Sequence, residues 1–126
     1  MSLLLDAGAL IAIDRRDRAV AAMLRVAQLA RLPVRTSAAV VGQVWRDGAR
    51  QANLARVLAG VDALDLTLDH GKWLGALLGA AGTADVVDAH VALMTLDGDD
   101  VVTSDPDDIR VLLDNRKVRA TIVGLS

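Results

Sequence analysis

Apolar residues fall along the chain in two alternating forms, short unbroken runs and stripes at helical spacing. Leu3–Asp6, Val34–Thr36, Ala63–Thr67, Asp100–Ser104 and Ala120–Val123 are brief aliphatic runs, and each predicts a strand. Between them, Gly8–Asp14 predicts a short helix. Asp17 caps a longer one to about Arg31, with Val20, Met23, Leu24, Ala27 and Ala30 on one face and Arg18, Arg25, Gln28 and Arg31 on the other. Ser37 is the N-cap of a helix to about Asp47, whose face Gln43, Arg46, Arg50 is polar. Asn53–Leu58 adds a turn or two. Asp69 opens a helix to Ala81 with Trp73, Leu77 and Leu78 as its stripe, and Gly82 ends it. A further helix spans about Ala84–Leu96, and Asp105-Pro106 starts the last, reaching Leu113, because Asp is a favoured N-cap and Pro a favoured first helical residue. Short strands alternating with helices predict an α/β fold with a parallel sheet covered on both faces.

At 126 residues the chain is read as one domain, 1–126, able to bury about two thirds of its unfolded surface. There is no Cys, so disulfides and thiolate metal sites are excluded, and a metal would be held by oxygen or by the two His. No basic leader segment begins the chain and no apolar run of about 18 residues occurs, so neither export nor a membrane is signalled. The expected location is cytoplasmic. Apolar residues make up 53% of the chain with no Phe or Tyr, so the core must be aliphatic. Exposed apolar helix faces are expected, which points to a partner or a dimer.

The net charge of −2 conceals a polarity. Residues 1–56 carry nine Arg against four Asp, whereas 57–126 carry five Lys and Arg against twelve Asp. A basic half beside an acidic site would offer contacts to phosphates; an ordinary solvated surface is the competing reading. All sixteen acids are Asp, for which there is no physical account.

The acids define the candidate chemistry. Asp85 and Asp88 lie three apart on one side of an apolar helix, and charges are almost never fully buried there unless paired or bound to a cation. Asp6 and Asp105 each close a strand at its carboxyl end, where open parallel sheets hold ligands if the strand order reverses. Carboxylates converging at such an edge repel one another by about 4 kcal/mol per pair at 4 Å and an effective dielectric of 20. An all-oxygen donor set suits Mg²⁺ or Mn²⁺, which can acidify a water or polarise a phosphoryl oxygen.

Four stretches in order, Leu4-Leu5-Asp6-Ala7-Gly8-Ala9-Leu10-Ile11, Thr36-Ser37-Ala38 through Gln43-Val44-Trp45-Arg46, Asp85-Val86-Val87-Asp88-Ala89-His90 and Val102-Thr103-Ser104-Asp105, resemble the PIN domain and, within it, the VapC-like toxins of toxin–antitoxin pairs. The resemblance runs over essentially the whole chain. It implies a three-layer α/β/α fold and a metal-dependent endoribonuclease, commonly a homodimer, cutting RNA and silenced by an antitoxin. By position, Asp6, Asp88 and Asp105 match the family's metal-site acids, with Asp85 and Asp108 supporting. Where the family often has a further acid, this chain has Gln43, which keeps an acceptor oxygen but removes a charge. A catalytically weakened or inactive module that binds RNA or an antitoxin is therefore the alternative.

Each residue also has a plainer reading. Asp105 is placed as an N-cap with Asp108 as the acid of a capping box, and Asp85 suits a helix dipole. Thr103 and Ser104 could orient Asp105, bind phosphate or merely turn the chain. His90 and His70 lack a ligand-spaced companion and read as a satisfied or exposed pair rather than as ligands. Arg46 and Arg50, sharing the face of Gln43, are the candidate RNA contacts, while Trp45 and Trp73 read as core or interface rather than base-stacking residues. A receiver-type or phosphoryl-transfer domain is disfavoured, since no second acid follows Asp6 and no glycine-rich phosphate loop is present.

Overall fold

The structure, a computed structural model, describes residues 1–125. Five strands, β1 (Leu3–Leu5), β2 (Val34–Ser37), β3 (Asp62–Leu64), β4 (Asp100–Thr103) and β5 (Thr121–Gly124), form one sheet in the order β3-β2-β1-β4-β5, and every pairing is parallel. Seven helices fill the connections among the described residues: α1 (Ala7–Asp14), α2 (Arg18–Leu29), α3 (Ala38–Val44), α4 (Ala52–Leu58), α5 (Leu68–Ala81), α6 (Val86–Met94) and α7 (Pro106–Arg116). Helices α5, α6 and α7 pack on one another, and α1 packs on α2, α3 and α4. The result is a three-layer α/β/α arrangement, the covered parallel sheet that the alternating pattern predicts and the PIN-like fold that the resemblance implies. No single helix is long and apolar enough to cross a membrane.

The central strands are buried on both faces, as parallel sheets require. Leu4, Leu5, Val101 and Val102 are all at most 1% exposed, and Leu10, Val20, Val40, Leu54, Ile109, Leu112 and Leu113 close over them. The core is aliphatic throughout. Strand order changes direction at β1, with β2 and β3 on one side and β4 and β5 on the other, so the crevice at the carboxyl ends of β1 and β4 is the switch point where ligands bind in such sheets.

Several boundaries differ from the sequence expectation. Helix α3 stops at Val44, because Trp45 turns to extended backbone (φ −67°, ψ 131°), so Arg46 and Arg50 do not continue the face of Gln43. Helix α5 is capped by Thr67, not Asp69; Thr67 Oγ1 accepts from His70 N at 3.1 Å, and the His70 Nδ1 lies 3.4 Å from Thr67 N and closer, at 2.9 Å, to the Asp65 carbonyl. Its buried stripe is Leu74, Leu77 and Leu78, and Trp73 is turned out, 56% exposed. Gly82 takes the left-handed conformation that ends α5, at φ 72°.

An acid with no sequence signal holds the opposite end of the sheet. Asp99 is fully buried at the amino end of β4, accepting from Ser2 N at 2.7 Å, Ser2 Oγ at 3.1 Å and Leu96 N at 2.8 Å. It thereby fixes the start of β1 against β4. Asp99→Ala would leave two backbone N–H groups of the interior unpaired, and we expect a loss of about 2–4 kcal/mol in unfolding free energy by urea titration. A loss below about 0.5 kcal/mol would show that water replaces the carboxylate at no cost.

Candidate metal centre

Four elements deliver carboxylates to the switch point. Asp6 leaves β1 and is the N-cap of α1, accepting from Ala9 N at 3.0 Å, so the strand end and the helix start fix it together. It is 3% exposed. Asp88 rises from the first turn of α6, and Asp105 and Asp108 come from the start of α7. One carboxylate oxygen from each of Asp88, Asp105 and Asp108 lies within 4.8 Å of the other two. Asp108, read from sequence as supporting, is thus part of the closest group, and its i, i+3 spacing to Asp105 was the signal for it.

The plainer reading of Asp105 does not hold. It occupies the N-cap position of α7, yet its side chain makes no capping hydrogen bond, and the capping box is not formed. Its carboxylate is left for the cluster. Asp85 is the reverse case: it sits before α6 and its Oδ1 accepts from Val87 N and Asp88 N, both at 3.0 Å, so it is committed to the helix start and acts on the Asp88 carboxyl by charge.

Thr103, buried at the end of β4, joins the two strand-end acids. Its Oγ1 accepts from Asp105 N at 2.9 Å and its hydroxyl donates to Asp6. Ser104 adds a backbone N–H to Asp6, and its side chain lies against Gly8, where a Cβ would come within 2.6 Å of the Ser104 Cβ. Gly8 is required for that close approach of α1 to the loop carrying Asp105. Gln43 is exposed on α3, a helix that packs on both α1 and α6. Arg46 donates to the carbonyls of Gly42 and Trp45, and Arg50 lies 3.8 Å from Asp47. Both are engaged locally.

Electrostatics record the crowding. Burial, then the charges of Asp85, Asp105, Asp6 and Asp108, push the Asp88 carboxyl up to about 7. Asp6 is raised as well, chiefly by burial, against the hydrogen bonds from Thr103, Ala9 and Ser104 that favour its ionised form. Oxygen donors at this spacing and charge fit a divalent ion such as Mg²⁺ or Mn²⁺, with Asp88, Asp105 and Asp108 able to reach it. Away from this centre, a basic groove of about 670 Å³ runs between α1, α2 and α4, with Arg16, Arg25 and Arg56 over Ile13, Leu24 and Val57. A cleft of about 360 Å³ bounded by Gly8, Ile11, Arg15, Ser104 and Leu125 adjoins the acids through Ser104.

The fold is shared with a solved structure. A chain of the crystal structure of VapBC2 from Rickettsia felis bound to a DNA fragment from their promoter superposes with a TM-score of 0.68, over 98% of this chain and 99% of that one, at 14% sequence identity. At that identity the likeness is one of fold. No protein-family model matches the chain, and no curated protein does.

The raised Asp88 makes stability pH-dependent in a definite direction. An acid ordinarily near 3.8 that titrates near 7 when folded binds more protons folded than unfolded between those values, so folding is weakened as pH rises from about 4 to 7. Without divalent ions, Asp88→Asn should therefore gain stability over wild type at pH 8 and little at pH 4. The difference should be on the order of 1 kcal/mol after solvent screening, read from thermal melts in a chelator. Equal melting shifts at both pH values would contradict the crowding.

Proposed function

We propose that the chain is a metal-dependent endoribonuclease of the PIN, VapC-like kind, a single domain over 1–126 that works in the cytoplasm. The observation that carries this is the meeting of Asp88, Asp105 and Asp108 oxygens within 4.8 Å, beside buried Asp6, at the switch point of the sheet. When bound, Mg²⁺ or Mn²⁺ supplies neutralising charge and an acidified water for attack on a phosphodiester. The chain's part is to hold the ion: Asp88, Asp105 and Asp108 would ligate it, with buried Asp6 beside them as the further ligand that the resemblance gives, and Thr103 links Asp6 to the backbone of Asp105. Gln43 is assigned to water positioning, and Asp85 and Ser104 to supporting the loop and helix ends.

The RNA contact assigned to Arg46 and Arg50 is weakened by their local engagement. Arg15, exposed on the cleft that meets the acids at Ser104, is the better phosphate contact. For partners, the groove of Arg16, Arg25 and Arg56 above an apolar floor suits an acidic amphipathic segment such as an antitoxin would present. Exposed Leu66, Leu68 and Trp73 follow the edge strand β3 and suit a homodimer contact.

The second reading, an RNA- or antitoxin-binding module without cleavage, is favoured by one feature, the neutral amide of Gln43 where the resemblance calls for an acid. A fluorescent single-stranded RNA incubated with wild type, Asp88→Asn and Gln43→Glu in Mn²⁺ separates the two. Cleavage by wild type that falls more than about 100-fold in Asp88→Asn, beyond the range for losing an outer partner, supports the nuclease. Cleavage that survives Asp88→Asn contradicts it, and cleavage that appears or strengthens in Gln43→Glu supports a catalytic site weakened by the amide over a pure binding module.

A further inference from the structure

The chain has two histidines, far apart in sequence, and the fold brings them together: the rings of His70 and His90 lie 5.7 Å apart, centroid to centroid. His90 is fully buried in α6, and its Nε2 is the one buried side-chain nitrogen or oxygen without a hydrogen-bond partner among the described residues. An orphaned interior nitrogen costs free energy, and a leucine would fill the same place without that cost. Its Nδ1, by contrast, is engaged with Ser37 Oγ, the N-cap of α3. His70 shows the same division. Its Nδ1 is 2.9 Å from the Asp65 carbonyl, which only a protonated nitrogen can approach so closely, so Nε2 carries the lone pair.

Both rings thus have Nδ1 against an oxygen, and the Nε2 of His90 is left without a partner. That is the arrangement of metal-binding histidines, whose second nitrogen is oriented by a carbonyl or hydroxyl. The separation fits as well. With metal–nitrogen bonds of about 2.0–2.1 Å and near-tetrahedral angles, two imidazoles on one ion place their ring centres roughly 5–5.5 Å apart. We infer that His70 and His90 form a second metal site, for a zinc-class divalent ion that prefers imidazole, distinct from the carboxylate centre. Asp88 and His90 stand two positions apart on α6 and do not face each other, so the sites do not share ligands. His70 is only partly buried, at the start of α5, so the site is open to solvent on its side. Trp73, with its ring centre 5.5 Å from that of His70, flanks the entrance. Bound there, the ion ties α5 to α6 and, through Ser37, to the start of α3. The inference does not depend on the nuclease reading.

The test is a ZnCl₂ titration of the full chain by calorimetry, with excess Mg²⁺ present to occupy the carboxylates. Wild type and Asp88→Asn should each bind one Zn²⁺, and His70→Ala, altered at a partly exposed position that leaves the core intact, should lose it. Because the chain has only two histidines, ¹⁵N spectra provide an independent reading: Zn²⁺ should move the Nε2 resonances of both. No Zn²⁺ binding by wild type, binding retained in His70→Ala, binding lost in Asp88→Asn, or movement of only one histidine would each overturn the inference.

Discussion

The constraint on which this structure turns is the mutual repulsion of carboxylates held at one edge of a sheet. At about 4 kcal/mol for a pair 4 Å apart under moderate screening, such a group is relieved by protonation, by a cation, or by solvent at its exposed members Asp105 and Asp108. The chain displays the cost directly, in an Asp88 pushed up to about 7 and an Asp6 raised by burial. Their convergence at the switch point, with Asp6 buried and Asp88 partly buried beside the exposed Asp105 and Asp108, is the physical basis for reading the site as a metal centre.

The rest of the architecture holds that strained group in place. Asp6 is anchored by the start of α1, and Thr103 links it to the backbone of Asp105, so two neighbouring strands move as one. Asp85 closes the end of α6 and so sets the pitch at which Asp88 enters the site. Gly8 lets α1 approach the Ser104 loop closely enough for these bonds to form. At the far end of the sheet Asp99 ties β4 to the first residues of the chain, with every oxygen lone pair it needs supplied by backbone or Ser2 donors.

Much of the fold was legible because parallel strands buried on both faces leave unbroken aliphatic runs, and Asp, Ser, Pro and Gly mark the helix ends. Leu3–Leu5 and Asp100–Thr103 emerged close to expectation for that reason. Legibility failed where a tertiary contact overrides local pattern. The end of α3 at Val44 has no breaker residue, and Trp73 lies in an apolar stripe yet faces outward. The acids Asp6, Asp88 and Asp105 were marked by position and Asp108 by its spacing to Asp105, but the approach of Asp108 to Asp88 depends on α7 packing beside α6, which no local spacing specifies. The surroundings of His90 were illegible for the same reason: Ser37 and His70 are 53 and 20 residues away, and the proximity exists only in the fold.

A titration of the purified chain with Mn²⁺ by calorimetry, beside Asp88→Asn and Asp108→Asn, tests the central claim without any choice of RNA. The account predicts binding by wild type that is lost or strongly weakened in both variants, with proton release near pH 7 as Asp88 ionises. Binding that is unchanged in Asp88→Asn, or absent from wild type at millimolar Mn²⁺ while the chain remains folded, would contradict it.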